Sequence, residues 1–235
     1  IVTDIEQSEA DGYASYCLEQ TALADSFAML GIDGRPTSKI ELGTAVLPTW
    51  IRHPEVIAAG ALTTQAAPKG RLLLGIGPAH QTTVADRWGM AWERPVKHMS
   101  EYLAILDSLL NTGTASLKGE VWSLNQQAAL MTDTPPKVMI AALGEQMLKI
   151  AGKRTDGTIL WCVGPKTLEA QIVPVITDAA DTAASLRLRG LRLRRSSLRR
   201  SSLRRTPLFF SRLLRTQRLM EKDARAAKIS SLSIV

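Results

Sequence analysis

Short apolar runs recur along the chain and end in glycine or polar residues. They are Tyr13–Gln20 (YASYCLEQ), Ile40–Leu47 (IELGTAVL), Arg71–Gly77 (RLLLGIG), Lys137–Ala142 (KVMIAA) and Thr158–Val163 (TILWCV). Each is short and rich in apolar or β-branched residues, as strands buried on both faces should be. Between them the apolar positions change period. Pro54–Gln65 carries a small-residue face with Val56, Ile57, Gly60 and Ala61. Met99, Leu103, Leu106 and Leu110 recur at steps of 4, 3 and 4, one stripe of a helix that starts near Pro95. Glu145–Gly152 places Met147, Leu148 and Ile150 on a core face, and Lys166–Ala179 follows the fifth run.

This strand–helix alternation predicts an α/β fold with a parallel sheet and right-handed crossovers, the five runs neighbouring one another in order. A doubly wound sheet and a (β/α)8 barrel both satisfy it. The pattern opens with a helix-like segment, Ile1–Gly12, rather than a strand.

The alternation stops after residue 182. Residues 183–206 are an Arg/Leu/Ser-rich run of low complexity, expected to be irregular. Residues 207–235 recover a mixed composition, with a helix expected over Ser211–Met220.

Composition adds little until charge is mapped. The chain has 235 residues, 45% hydrophobic and 22% charged, which excludes a fully disordered or collagen-like chain. The net charge of +7 is segregated. Residues 186–228 hold 15 basic and two acidic residues, leaving 14 basic and 20 acidic elsewhere. A basic tail follows a mildly acidic body, so an argument from charge to nucleic acid or anionic lipid rests on the tail alone. Its Arg-rich stretch 187–205 lacks interleaved aromatics for base stacking. It reads more readily as an altered stretch of sequence than as a nucleic-acid-binding arm.

No run of 18 apolar residues predicts a membrane span. Ile1–Asp11 carries four acidic residues and no basic cluster, so it does not read as a secretory signal. Cys17 and Cys162 lie in apolar runs and read as buried free thiols in a reducing, cytoplasmic compartment. The three histidines and two cysteines have no metal-ligand spacing, so no metal site is expected.

The most informative stretch runs from Leu42 to Gln81. Two strands end in glycine-rich turns around RHP and an Ala-rich helix. In a barrel, strand C-termini face the active site. That places Ala45, Val46, Gly75, Gly77, Pro78 and His80 at the mouth, where glycine lets a ligand approach the backbone. Gln20 ends its strand at the same face, and Trp161 ends the fifth. Trp161 either walls the pocket or fills the barrel interior. Lys166 either meets an anionic group or is a solvated loop lysine. Trp88 and Trp92 either cover the pocket or pack on the rim. Ala142, Leu143 and Gly144 lead from a strand into a helix. Free N–H groups and the helix dipole suit an anion there, with a plain strand–helix turn as the alternative. His53 begins a helix and reads as structural. His98 heads an amphipathic helix and reads as a surface or packing residue.

LGTAV, RHP, GRLLLGIG, RPVKHMSEYL, KGEVW, AALGEQMLKIAGKRTDGT and GPKTL occur in this order within residues 1–182. Together they resemble the luciferase-like monooxygenase family, and more closely its branch that uses the deazaflavin coenzyme F420. The resemblance implies a TIM-like (β/α)8 barrel of the bacterial-luciferase type. It makes 1–182 the barrel body, with a first strand before Ile1 and the seventh-strand region replaced. It further implies that the coenzyme ring lies against a non-prolyl cis peptide at Ala45–Val46 and that the phosphate lies near Gly144. His80 takes the position of an acidic residue beside the ring in related F420 enzymes. It is the expected catalytic acid–base group, with hydrogen bonding to cofactor or substrate as the lesser role.

The expected function is an F420-dependent oxidoreductase acting on a small organic substrate, with a homodimer as the expected assembly. The alternatives are an FMN-dependent monooxygenase of the same superfamily and a non-catalytic flavin- or nucleic-acid-binding remnant.

Overall fold

A computed structural model describes residues 2–20, 24–130 and 132–194. The chain divides into two compact units, Ile1–Leu186 and Arg187–Val235. The helix expected over Ser211–Met220 and the late segment 207–235 lie outside the described residues.

The five predicted runs form one parallel sheet in chain order. The strands are β1 (Ser15–Leu18), β2 (Glu41–Thr44), β4 (Leu72–Gly77), β7 (Lys137–Ala141) and β8 (Gly157–Ile159), hydrogen-bonded in the order β1-β2-β4-β7-β8. Every pairing is parallel, as at Cys17 beside Gly43, Gly75 beside Met139 and Ala141 beside Ile159. The second run is broken: a short β3 (Leu47–Pro48) follows β2 and pairs with the end of β4. The first and fifth runs form shorter strands than their apolar composition suggested.

The connecting helices form where the apolar stripes placed them. They are α3 (Pro54–Ala66), α4 (Pro95–Thr112) and α5 (Glu145–Arg154), preceded by α1 (Val2–Ala10) and α2 (Ser26–Asp33). Pro stands at the first helical position of α3 and α4, where its missing N–H costs nothing. Gly113 closes α4 in the left-handed conformation (φ 71°), its N–H bonded to the Leu109 carbonyl. Met99, Leu103, Leu106 and Leu110 are buried as the stripe required. They join Leu42, Leu74, Ile76 and Ile140 of the sheet and Ile57 and Ala61 of α3 in the core.

Four expectations need correction. A β-hairpin, β5 (Thr114–Lys118) with β6 (Ser123–Gln127), follows α4 where no strands were read. The helix α2 was likewise unread. The run expected to be irregular from residue 183 is helical as far as Arg194, as the end of α7 (Val173–Arg194), since Leu and Arg are both good helix formers. Both cysteines are free but exposed rather than buried. Cys162 lies in the loop after β8 with φ 51°, and Cys17 lies on β1, which has a neighbour on one side only among the described strands. Packing against Gly43 still desolvates the Cys17 thiol and pushes it up to about 11.

At the N-terminal end of the strands, polar side chains tie the backbone together. The Glu9 carboxylate accepts N–H bonds from Ser38, Lys39 and Ile40. Arg71 donates to the carbonyls of Gly34, Thr37, Ile40 and Pro68. Among the described residues, no helix is long and apolar enough to cross a membrane.

Candidate functional site

Because the sheet is parallel and in sequence order, the strand C-termini gather on one face. Gln20, Ala45–Val46, Gly77–His80, Ala142–Gly144 and Trp161 all follow strand ends there. The Ala45–Val46 peptide is cis, as the resemblance implied. Val46 lies against Gly77: a Cβ added to Gly77 would meet the Val46 side chain at 2.8 Å and the Ala141 Cβ at 2.9 Å.

Gly75 has a different reason for being glycine from the one expected. A Cβ there would overlap the Thr44 carbonyl oxygen and the Ile159 side chain. Thr44 Oγ1 also accepts the Gly75 N–H at 2.9 Å and donates to the Gly75 carbonyl at 2.7 Å. Gly75 therefore serves close strand packing, and no room remains beside it for a ligand. Gly77 is buried too, and its contacts are with Val46 and Ala141. Pro78 begins the turn to the left-handed Ala79 (φ 60°) and then to His80.

The turn into α5 keeps part of its expected character. Ala142 is 4% exposed and gives its N–H to the Ile159 carbonyl at 3.3 Å, so it has no donor left for an anion. Gly144 is the N-cap of α5 in extended conformation, and an added Cβ would meet nothing within 4 Å. No crowding demands glycine there. The open space lies at a helix end whose first N–H groups lack intrahelical partners. Glu145 brings a negative charge to that turn, and Lys149 holds its carboxylate at 2.6 Å.

Gln20 reaches the strand end, but its oxygen is taken. Gln20 Oε1 accepts from Arg52 Nη2 at 3.0 Å and from the Ser26 N–H at 3.3 Å. Arg52 also pairs with Asp25 at 2.5 Å and stands over the Phe27 ring. Burial pushes the Asp25 carboxyl up, but Arg52 and the Ala28 N–H outweigh it and hold it below its usual range. Only the amide nitrogen of Gln20 is left to meet a ring edge. Arg52 and Asp25 are residues that the sequence reading missed; the arginine of RHP was the available signal.

His80 is exposed at the end of the β4 loop, before a π-helical turn at Thr83–Arg87. Trp161 lies two residues beyond β8 and is 54% exposed, so it does not fill a packed interior. Leu143, two residues beyond β7, is exposed to the same 54%. Since Ala141 and Ile159 are register partners, these two large apolar side chains hold equivalent positions on adjacent strands. Lys166 is exposed in the short helix α6 (Pro165–Thr167).

Behind the mouth lies an aromatic cluster. His98 is fully buried, stacked on Trp50 at 4.1 Å and beside Tyr102 at 5.8 Å, with Trp122 edge-on at 5.2 Å. It is a packing residue, as one of its two readings had it. Trp92 packs on Trp50, with ring centroids 5.4 Å apart. His53 caps α3: its Nδ1 accepts the Glu55 N–H at 3.2 Å, the structural part expected of it. Tyr102 Oη donates to the Arg52 carbonyl at 2.9 Å. The helix α4 thus supports Trp50 and the Arg52 backbone. Among the described residues, no three His, Cys, Asp or Glu side chains gather closely enough to hold a metal ion.

Comparison with known proteins places this architecture. An uncharacterized protein of Mycobacterium tuberculosis is 32% identical over 142 residues, 57% of this chain and 42% of that protein. The 5,10-methylenetetrahydromethanopterin reductase of Methanolobus tindarius is 27% identical over 157 residues, 66% of this chain and 47% of that protein. The chain therefore spans about half the length of the curated relatives it matches. The coenzyme F420-dependent tetrahydromethanopterin reductase of Methanopyrus kandleri superposes with a TM-score of 0.68 at 23% identity, over 78% of this chain and 57% of that one. An FMN-bound type II Baeyer–Villiger monooxygenase from Pseudomonas putida gives 0.66 at 15% identity, over 77% and 56%. These likenesses assign the parallel sheet to the luciferase-like barrel fold. The luciferase-like monooxygenase family model matches residues 2–190, and the chain belongs to that family.

Proposed function

We propose that the chain acts as an F420-dependent oxidoreductase on a small organic substrate bound at the C-terminal face of the sheet. The observation that carries this reading is the open N-terminus of α5 beside the exposed apolar ends of β7 and β8. Gly144 leaves room for a phosphate that packing does not require, and Leu143 and Trp161 leave an apolar wall uncovered. Support also comes from the likeness to the Methanolobus methylenetetrahydromethanopterin reductase in sequence and to the F420-dependent Methanopyrus tetrahydromethanopterin reductase in fold.

In this reading the N–H groups of Gly144 and the first turn of α5 hold the phosphate. Val46, Gly77 and Pro78 back the ring, and the Gln20 amide nitrogen donates to its polar edge. Trp161 walls the substrate side, and Lys166 attracts an anionic group. F420, when bound, supplies a carbon centre that accepts or releases a hydride. His80 holds or gives up the accompanying proton on its imidazole.

The same face suits an FMN ring, and the Pseudomonas neighbour carries one. Titrating the protein with F420 and with FMN separates the two. Saturable quenching of F420 fluorescence, with weaker FMN uptake, is the expected result. Tight FMN binding without F420 binding would replace this reading with a flavin monooxygenase. Uptake of neither would leave a non-catalytic protein.

A further inference from the structure

Three buried groups join the aromatic cluster of α4 to the floor of the site. The Thr49 N–H donates to the Gly77 carbonyl at 2.9 Å. Thr49 Oγ1 approaches the same carbonyl at 3.3 Å. His98 Nε2 lies 2.9 Å from Thr49 Oγ1. Thr49 and His98 are both 0% exposed. Gly77 is in turn the residue against which Val46 packs.

The proton positions follow from donor arithmetic. A threonine hydroxyl has one proton, and the Gly77 carbonyl can only accept. If Thr49 donates to Gly77, its oxygen accepts from His98, which must then carry its proton on Nε2. His98 Nδ1 is buried with no hydrogen-bond partner. The opposite tautomer would leave an orphaned Nδ1–H donor, whereas the Nε2–H form leaves only an orphaned lone pair. Buried donors without acceptors are the rarer and costlier case. The imidazolium would strand the same Nδ1–H and add a charge. Burial lowers the His98 pKa to about 4, against the opposing pull of Glu101, in agreement with a neutral ring.

We propose that His98 is a positioning residue: as the neutral Nε2–H tautomer it fixes the Thr49 hydroxyl on the Gly77 carbonyl and so sets the backbone on which Val46 rests. Trp50 and Tyr102 hold the ring in the plane this requires. The functional consequence rests on the reading of Val46 and Gly77 as the coenzyme's backing. The hydrogen-bond relay itself does not.

The tautomer is read on the unaltered protein from the imidazole nitrogen resonances at pH 7. An Nε2–H signal for His98, slow to exchange with solvent, is expected. An Nδ1–H tautomer or an imidazolium would overturn the proposal. The second arm compares Thr49→Ser, Thr49→Val, His98→Phe and the double variant Thr49→Val/His98→Phe. Thr49→Ser should keep the F420 dissociation constant. Thr49→Val and His98→Phe should each raise it about tenfold, and the double variant should be no worse than either single one. Equal affinity in all four would remove the positioning role. If the unaltered chain takes up neither F420 nor FMN, the proposed function fails. The relay is then decided by the imidazole spectrum and by Thr49 amide exchange, which should quicken in His98→Phe and not in Thr49→Ser.

Discussion

The Glu101 carboxylate accepts the backbone N–H of Trp122 at 2.9 Å, joining the middle of α4 to the turn of the β5–β6 hairpin. The N–H groups of Val121 (2.9 Å) and Glu120 (3.1 Å) share the same carboxylate. A Cβ on Gly119 would overlap it, which accounts for glycine in KGEVW. Burial pushes the Glu101 carboxyl up, but these three donors outweigh it and hold it at about 2. Glu101→Ala leaves the donors unpaired and should destabilise the fold by about 3 kcal/mol in urea titration, with Glu101→Gln in between. The carboxylate's contribution is complete above the ordinary value of 4.5 and is lost as pH falls toward 2.

His98 acts in a different pH window and for the opposite chemical reason. Its pKa is lowered from 6.5 to about 4 by burial, so between those values the unfolded chain binds a proton that the folded one refuses. Stability is therefore complete above 6.5, declines as pH falls to about 4, and is unaffected by this group below that. The charged neighbours are Glu101 on the same helix and Lys97, which pairs with Glu101 at 3.3 Å; only Glu101 favours the imidazolium. The full decline amounts to about 3 kcal/mol. Urea titrations at a series of pH values should show it in the unaltered protein, and His98→Phe should flatten that window.

Much of the sheet was legible because its strands are buried on both faces and read as unbroken apolar runs. Their ends were not. TILWCV continues its apolar composition past Ile159 into the exposed Trp161, because the loop there lines a mouth rather than a core. The β5–β6 hairpin was invisible, since Ser, Lys, Asn and Gln dominate it and its anchor is Glu101, a contact across the fold. Helix α2 is eight residues long and contains Gly31, too short for a period to emerge. His98 could have been found: His98, Tyr102, Ile105 and Leu109 repeat the steps of the Met99 stripe, and all four are buried. In the site, the cis peptide at Ala45–Val46 is a backbone feature that residue chemistry does not announce, and only the family resemblance pointed to it, whereas Gly144 was readable from its place between a strand and a helix. Gln20, Asp25 and Arg52 converge from 27 and 32 positions apart, a meeting that no local pattern encodes.

Gly75 and Gly144 should respond in opposite ways to substitution. Gly75→Ala forces a methyl group into the Thr44 carbonyl and should cost about 3 kcal/mol of stability or prevent folding, a case of overpacking against backbone. Gly144→Asp meets open space and supplies a favoured N-cap, so the urea midpoint should hold or rise slightly. The new carboxylate would nevertheless repel a phosphate at the same helix end. The F420 dissociation constant should rise by about tenfold or more. Unchanged affinity in the folded Gly144→Asp protein would place the phosphate elsewhere.

The last prediction concerns His80, whose exposed imidazole follows the left-handed Ala79 at the end of the β4 loop. Nothing in that position asks for histidine on packing grounds, so its removal should leave the urea midpoint unchanged. If the imidazole relays the proton that accompanies hydride transfer, His80→Ala should lower kcat by about 10²–10⁴-fold, the range for losing a general acid–base group. Coenzyme affinity should change far less, because Val46, Gly77 and the α5 N-terminus remain. His80→Asp offers the sharper comparison. A carboxylate titrates below an imidazole, so a working substitute should recover part of the turnover and shift the acid limb of the pH–rate profile downward. Were His80 only a binding contact, the loss would fall on KM with kcat nearly intact. Unaltered kcat for His80→Ala between pH 5 and 9 would remove His80 from the chemistry and leave Gln20 and Lys166 as the polar side chains to test next.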